Sequence, residues 1–252
     1  MKTERAKIMT ERKTDLQALE LNDTRDFTDL EAVSAVQLIR LDLDVSSSMA
    51  THGPNGKSAL EYLTPELDRL IAFLHGVNDR HLELSISTFS GEVREEVSFQ
   101  TPERVSVPDL QVRETGTNIA AAVESSLQTV TERRAWHESG GTYVYQPTLV
   151  LLTDGGNNHP IQYSLKHRLR EGLAEERIQF VPVAIGDSVD EAFLRSLTTS
   201  ETLLHVNSSS LESLSFEELF EAIRDSFGAG ASIASHVDDL LEERDSNRVL
   251  HD

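Results

Sequence analysis

The sequence predicts an α/β domain with a doubly wound, mostly parallel sheet of about six strands and one antiparallel edge strand. From Val36 onward, short apolar runs alternate with segments of helical periodicity, which is the pattern of βαβ units. Only Ser90 and Gly91 separate two of the predicted strands, and a two-residue connection is typical of an antiparallel hairpin. Because the other pairs should be parallel, we expect the second strand of this hairpin at an edge of the sheet.

The predicted strands are apolar runs bounded by turn residues, and helical patterns lie between most of them. The first predicted helix has Thr64 as its N-cap, Pro65 at its first position and Gly76 as its end. Apolar residues recur at i, i+3, i+4 and i+7 from Leu67 to Leu74, so this helix should face the sheet. The second helix begins near Thr117 and turns polar by Arg133. The predicted strands span residues 36–44, 82–89, 92–100, 148–153, 178–185 and 202–206, and the later helices span 161–177, 190–197 and 215–227.

The predicted domain occupies residues 33–230 and lies between two charged segments. Residues 1–32 form a charged N-terminal extension, in which basic residues come first and acidic residues follow. Residues 231–252 form an acidic C-terminal tail, since the stretch 236–252 holds six acidic residues against two arginines.

The composition excludes several classes of function. The chain has 23 Lys and Arg against 43 Asp and Glu, which gives a formal charge of −20. Nucleic acids and anionic membranes attract proteins through Lys and Arg, so neither is an expected partner. The absence of cysteine excludes disulfides and thiolate metal clusters and fits a reducing cytoplasm. No window approaches the roughly 20 apolar residues of a membrane span, so we expect a soluble, cytoplasmic protein.

Oxygen-bearing side chains follow two predicted strands and precede one predicted helix. Asp44 ends the first strand, and Ser46 and Ser48 follow at a spacing of two, which keeps all three on one side while the chain stays extended. Thr117 stands at the start of a helix and Asp154 at the end of a later strand. Ligands of open α/β sheets bind beyond the carboxyl ends of the strands, so we expect these residues to meet there.

Two carboxylates and three hydroxyls make an all-oxygen ligand set, which suits Mg²⁺, or else Mn²⁺ or Ca²⁺, and is poor for zinc. Asp44 and Asp154 only balance the charge of a divalent ion, because the three hydroxyls are neutral. The metal would therefore accept one more anionic oxygen, which an Asp or Glu of a protein partner could supply. Taken alone, the Asp-x-Ser-x-Ser segment is equally compatible with an ordinary polar turn.

Together the three motifs resemble those of von Willebrand factor type A (vWA) domains that carry a metal-ion-dependent adhesion site (MIDAS). The resemblance extends over about residues 36–227. It depends on an Asp-x-Ser-x-Ser-Met segment, a Gly-Thr-Asn-Ile segment and a Thr-Asp-Gly segment in that order. These are Asp44 to Met49, Gly116 to Ile119 and Thr153 to Gly155.

The resemblance implies a Rossmann-like fold and a Mg²⁺-dependent protein-protein interaction, in which an acidic residue of the partner binds the metal and no reaction is catalysed. Within the family, the bacterial TerY-like proteins of tellurite resistance look most similar, through Tyr145-Gln146-Pro147 before the strand. That likeness implies a bacterial stress-response setting. The implied metal ligands are Asp44, Ser46 and Ser48 in the first loop, Thr117 in the second and Asp154 in the third.

Two features depart from the family pattern. Ser47 stands where the family usually has glycine, which would stiffen or reshape the first ligand loop. Arg40 and Asp42 lie on a strand that should be buried on both faces, and an uncompensated buried charge is costly. We therefore expect Arg40 and Asp42 to pair with each other, or that face of the sheet to be poorly covered.

An enzyme interpretation uses some of the same residues. The segment from Asp42 to Val45 resembles the Asp-x-Asp motif of haloacid-dehalogenase-like phosphatases. Asp42 would then be the nucleophile, Asp44 the general acid and base, and Asp187 a Mg²⁺ ligand. This scheme leaves the serines of the first loop, Thr117 and Asp154 without a role. A third alternative is an interaction domain that binds no metal.

Other motifs carry less information. The segment from Gly53 to Ser58 resembles the end of a phosphate-binding loop, but its spacing is wrong, and a simple loop is the better interpretation. The nine histidines form no zinc-binding pattern. Trp136, Tyr143 and Tyr145 are predicted to lie in a long loop after the second helix, where they either pack locally or contact a partner.

Overall fold

The computed structural model describes residues 34–52, 56–77, 81–113, 116–154, 159–175, 177–185, 189–198 and 204–206. The chain divides into two compact units, Met1–Val33 and Ser34–Asp252, and every described residue belongs to the second. The helix predicted at 215–227 and the acidic tail lie outside the described residues. The proposed boundaries of the domain, at residues 33 and 230, therefore stay predictions.

Seven strands form a single sheet in the described part of the chain. Six of them coincide with predicted strands, whose ends differ by no more than two residues. The seventh, a two-residue strand, falls where the sequence predicts a loop. The strands are β1 (Ala35–Asp44), β2 (Leu82–Phe89), β3 (Val93–Gln100), β4 (Tyr143–Val144), β5 (Thr148–Thr153), β6 (Gln179–Ile185) and β7 (Leu204–Val206).

The strand order is β3-β2-β1-β5-β6-β7, and β4 pairs with the first residues of β1. All of these pairs are parallel except β2 with β3, and β3 lies at one edge. The predicted antiparallel edge strand is therefore confirmed. From β1 the chain proceeds toward one edge, and from β5 it proceeds toward the other. Such a reversal of direction is the point at which open α/β sheets bind ligands.

Four α-helices accompany these strands among the described residues, with short 3₁₀ helices after β1 and after β3. None of them is both long and apolar enough to cross a membrane. They are α1 (Ala59–Val77), α2 (Ile119–Ser139), α3 (Tyr163–Ala174) and α4 (Glu191–Arg195).

Helix α1 begins at Ala59, so the predicted start at Pro65 is wrong. Ser58 and Glu61 form a capping box, in which Ser58 N donates to Glu61 Oε2 at 2.8 Å and Glu61 N donates to Ser58 Oγ at 3.3 Å. Pro65 consequently lies inside the helix, where the hydroxyl of Thr64 donates to the Leu60 carbonyl at 2.8 Å. Ser58 and Glu61 have the spacing of a capping box in the sequence, but the start was predicted from Pro65 instead.

Helix α2 continues to Ser139, so Trp136 lies in a helix and the loop predicted around it is wrong. The polar run that suggested an end belongs to the exposed face of the helix, where Arg134 Nε lies 2.7 Å from Glu138 Oε1. The guanidinium of Arg133 lies over the ring of Trp136, 4.2 Å from its centroid. Trp136 remains exposed by 60%.

Both faces of the sheet are covered by helices, as a doubly wound fold requires. Ile39, Leu41 and Leu43 of β1 belong to a buried cluster with α1, whereas Val36 and Leu38 belong to a second cluster with α2 and α3. The two clusters follow the alternation of side chains along the strand. This framework fixes the carboxyl ends of β1, β2 and β5 side by side.

Candidate metal-binding site

Asp44, the last residue of β1, is the centre of the candidate site. Leu43 lies opposite Leu152 in the parallel pairing of β1 with β5, which brings Asp44 next to Thr153. Asp44 is fully buried, and its Oδ2 accepts a hydrogen bond of 2.6 Å from Thr153 Oγ1. Its Oδ1 accepts one of 2.8 Å from the backbone N of Ser46. Thr153 is a site residue that the sequence analysis did not assign to the metal site.

The first ligand loop turns sharply after Ser46, because Ser47–Ala50 form a 3₁₀ helix. The predicted extended path through Ser48 is therefore wrong, although the hydroxyls still converge: Ser46 Oγ and Ser48 Oγ lie 3.0 Å apart. Ser48 Oγ also donates to Asp154 Oδ1 at 2.8 Å. Ser47, which stands at the position of the usual glycine, is exposed and is the first residue of this turn.

Four of the five predicted ligands are thus joined by one continuous chain of hydrogen bonds. It connects residues that lie as much as 110 positions apart in the sequence, since it runs from the end of β1 to the end of β5. The four residues are Asp44, Ser46, Ser48 and Asp154.

Thr117 lies at the same end of the sheet and is held there from both sides. On one side, Arg113 N donates to the carbonyl of Val45, directly after Asp44, at 2.9 Å. On the other, Asn118 N donates to the carbonyl of Ser90, directly after β2, at 2.8 Å. Gly116 has φ of 122°, a conformation that favours glycine, and Thr117 itself is only 4% exposed.

The side chain of Arg113 strengthens this attachment. Its two terminal nitrogens donate to Thr88 Oγ1 at 2.8 Å and to Glu96 Oε1 at 2.6 Å. Thr88 Oγ1 in turn donates to Glu96 Oε1 at 2.6 Å, which closes a triangle between β2, β3 and the loop that leads to Thr117. The antiparallel edge hairpin therefore holds Arg113, which precedes the second predicted ligand by four residues.

Both carboxylates of the site have raised pKa values. Burial raises the pKa of Asp44, although hydrogen bonds from Thr153 and Ser46 oppose the shift. The pKa of Asp154 rises to about 6, mainly through burial and to a lesser extent through the negative charge of Asp44, while Ser48 opposes it. No basic side chain contributes to either shift. Within the described structure the two carboxyl groups therefore have no cationic neighbour that would stabilise their ionised form.

This donor set fits a divalent cation. Its oxygens are hard ligands, and a bound cation would stabilise the ionised form of both Asp44 and Asp154. The described residues hold no group of three or more His, Asp or Glu that would form a conventional cluster of charged metal ligands. A metal at this place would thus depend on hydroxyls for much of its coordination. Because hydroxyls are neutral, the two aspartates would balance the charge of a divalent ion without exceeding it.

The phosphatase interpretation finds no support in the position of Asp42. Asp42 is 1% exposed, and its carboxylate accepts hydrogen bonds from Ser87, Ser126 and Arg40. A nucleophile must reach its substrate, and this carboxylate is enclosed below the end of the strand. Asp187, the Mg²⁺ ligand in that interpretation, lies outside the described residues.

A doubly wound sheet with hydroxyls and carboxylates at its switch point is the arrangement in which open α/β domains bind ligands. The chain belongs to the von Willebrand factor type A domain family, whose model matches residues 41–222. Domains of this family are generally interaction modules. A search of curated proteins gives no significant match.

Several solved structures are similar to this chain at low sequence identity. BatB from Bacteroides thetaiotaomicron matches with a TM-score of 0.51 and 17% identity over 77% of this chain and 98% of its own. A point mutant of the PilB minor pilin from Streptococcus sanguinis matches with a TM-score of 0.51 and 14% identity over 79% of this chain and 63% of its own. Proximal thread matrix protein 1 of the mussel byssus, with a zinc-occupied MIDAS motif, gives a TM-score of 0.47 and 18% identity over 77% of this chain. This chain spans 45% of that protein's length.

Proposed function

We propose that this protein is a Mg²⁺-dependent protein-binding module, in which Asp44, Ser46, Ser48, Thr117 and Asp154 hold the metal. The observation that carries the proposal is the buried carboxylate at the end of β1, which has no cationic partner among the described residues. Asp44 is fully buried, its hydrogen-bond donors in the described part of the chain are all neutral, and burial raises its pKa. A divalent cation supplies the missing positive charge, and Mn²⁺ or Ca²⁺ are the alternatives to Mg²⁺.

The partner in this proposal is a protein that presents an Asp or Glu to the metal. Because the site contributes only two negative charges, the bound ion keeps affinity for a third anionic oxygen. The chain's own residues bind and orient the ion, and no covalent step is required. From the TerY-like resemblance alone, we further propose a scaffolding role in bacterial stress response or tellurite resistance, in the cytoplasm.

The direct test is a calorimetric titration of Mg²⁺ into the metal-free wild type, Thr117→Ala and Asp187→Ala. We expect Thr117→Ala to weaken binding strongly, because a hydroxyl ligand is lost, and Asp187→Ala to bind like the wild type. The reverse result, with binding lost only in Asp187→Ala, would refute the proposed ligand set and favour the phosphatase scheme.

Metal binding should depend on pH through Asp154. Because its pKa is raised to about 6, a proton competes with Mg²⁺ below that pH, and the affinity should fall about tenfold for each further pH unit. The metal-free protein should lose stability as the pH rises from about 4 to 6, since the unfolded chain ionises this aspartate first. The increase in Tm caused by Mg²⁺ should therefore grow between pH 5 and pH 7. In Asp154→Asn the part of this dependence that Asp154 contributes should disappear, and an equal Tm increase at both pH values in the wild type would contradict the prediction.

Arg113 should influence the metal without touching it. In Arg113→Ala the loop that carries Thr117 loses its attachment to Thr88 and Glu96, so we expect Mg²⁺ affinity to fall about tenfold, as it does for other outer-shell contacts. Arg113→Lys, which keeps one charged donor, should restore part of the affinity. Equal Mg²⁺ affinity for Arg113→Ala and the wild type at matched folding, by calorimetry, would show that Thr117 is held in place without Arg113.

A further inference from the structure

Helix α3 begins at the end of the molecule that carries the candidate metal site. It follows β5 and Asp154, and a helix that follows a parallel strand runs back along the sheet, so its first residue lies near the carboxyl ends of the strands. That first residue, Tyr163, is 83% exposed. One turn later His167 is 62% exposed, with its ring centroid 6.3 Å from that of Tyr163.

The charge of α3 is opposite to that of the protein as a whole. The helix contains three basic residues and one acidic residue, in a chain whose formal charge is −20. Helix α1 has three acidic residues against one arginine, α2 has three against two, and α4 has one of each. Among the described helices, α3 alone therefore has a net positive charge. Its basic residues are Lys166, Arg168 and Arg170.

Two of these charges are not neutralised within the described structure. Lys166 Nζ donates to the hydroxyl of Ser196 at 3.2 Å, and Arg170 donates to the carbonyl of the same residue at 3.2 Å. Ser196 is neutral, so the two cations are positioned side by side toward α4 without a carboxylate partner. Arg168 is 51% exposed and lies 3.7 Å from Glu124, which makes only a weak surface pair.

We infer that the Tyr163–Arg170 surface of α3 binds an acidic segment of the protein partner whose Asp or Glu completes the metal site. The inference rests on the proposed function and extends it to the partner's flanking residues. One carboxylate binds the metal, further carboxylates lie along Lys166 and Arg170, and Tyr163 supplies an exposed aromatic contact. Charge complementarity favours this occupant, because the rest of the acidic surface repels such a segment.

The test uses two fluorescent peptides with the full-length protein in saturating Mg²⁺. One peptide has a single Asp between Glu residues, and the other has the same Asp between Ser residues. We expect the wild type to prefer the Glu peptide, measured by fluorescence anisotropy. The double variant Lys166→Gln with Arg170→Gln should bind the Glu peptide about fivefold more weakly and should no longer prefer it, because two surface charges are lost.

The matched control is the double variant Arg69→Gln with Arg104→Gln. It changes the net charge by the same amount on the α1 side of the sheet, and it should bind both peptides like the wild type. The inference is overturned if the two double variants weaken binding equally, if the wild type shows no preference, or if only phosphatidylserine vesicles bind to α3.

A parallel calorimetric titration with Mg²⁺ alone separates the two proposals. Intact Mg²⁺ binding with no peptide preference refutes only the α3 surface, whereas no Mg²⁺ binding refutes the proposed function as well.

Discussion

Asp154→Ala is expected to abolish Mg²⁺ binding without destabilising the metal-free protein. Loss of an outer-shell partner typically costs about 10–100-fold in metal affinity, so loss of a charged ligand should exceed that range. The metal-free protein should keep its Tm, because the ionised side chain of Asp154 is unfavourable there, as its raised pKa of about 6 indicates. Ser48, which donates to Asp154, is exposed and can bond to water instead.

Loss of Mg²⁺ binding at an unchanged Tm of the metal-free protein distinguishes a binding defect from a folding defect. Saturating Mg²⁺ should raise the Tm of the wild type by mass action and should leave the Tm of Asp154→Ala unchanged. Asp68→Ala is the matched control, since it removes an exposed carboxylate from α1 and should respond to Mg²⁺ like the wild type. Unchanged calorimetric Mg²⁺ affinity in Asp154→Ala would refute the proposed ligand set.

The residues of the candidate site could be predicted because strand ends are visible in the sequence. A buried strand that ends at Asp44, or directly before Asp154, must place that carboxylate at the carboxyl edge of the sheet, whatever its neighbours are. Its hydrogen-bonding partners could not be predicted in the same way. Thr153 bonds to Asp44 only because β1 and β5 pair in one particular register, and register is a property of two distant segments.

The same distinction explains the errors in the predicted elements. Strand β4 consists of two residues and exists only through its pairing with Ala35 and Val36, which no local pattern reveals. The 3₁₀ turn after Ser46 depends on contacts across the site, such as the bond from Ser48 to Asp154. By contrast, the start of α1 was encoded locally in Ser58 and Glu61, where two local signals competed and the capping box prevailed over Pro65.

Arg40 and Asp42 were predicted to pair, and they do, inside the sheet. Arg40 Nε lies 3.2 Å from Asp42 Oδ1, and both residues are 1% exposed. Arg40 also donates to Ser85 Oγ at 2.9 Å, and the carboxylate of Asp42 accepts from Ser87 and Ser126. The pair thus connects β1 to β2 and to α2, directly below the candidate metal site. A guanidinium remains charged at this depth, so Asp42 is its counter-charge.

Breaking this pair should destabilise the protein by about 3–5 kcal/mol, because the remaining charge has no comparable partner. We expect this loss in the free energy of unfolding for Arg40→Met, which leaves Asp42 buried, and a similar loss for Asp42→Asn. In the second variant Glu95, whose Oε1 lies 3.6 Å from Arg40 Nη1, remains as a partner, but its side chain is 45% exposed and water screens its charge. Urea denaturation of the metal-free variants measures both losses.

The double variant Arg40→Met with Asp42→Asn should be more stable than the sum of the single losses predicts, because it buries no charge. A coupling of about 2 kcal/mol is reasonable for two side chains in direct contact. Mg²⁺ binding should survive in the double variant, since neither residue is a proposed ligand, whereas a phosphatase-type site would lose its nucleophile. Strictly additive losses would show that Arg40 and Asp42 act through separate neighbours, and that the sheet tolerates each charge through its serine hydroxyls alone.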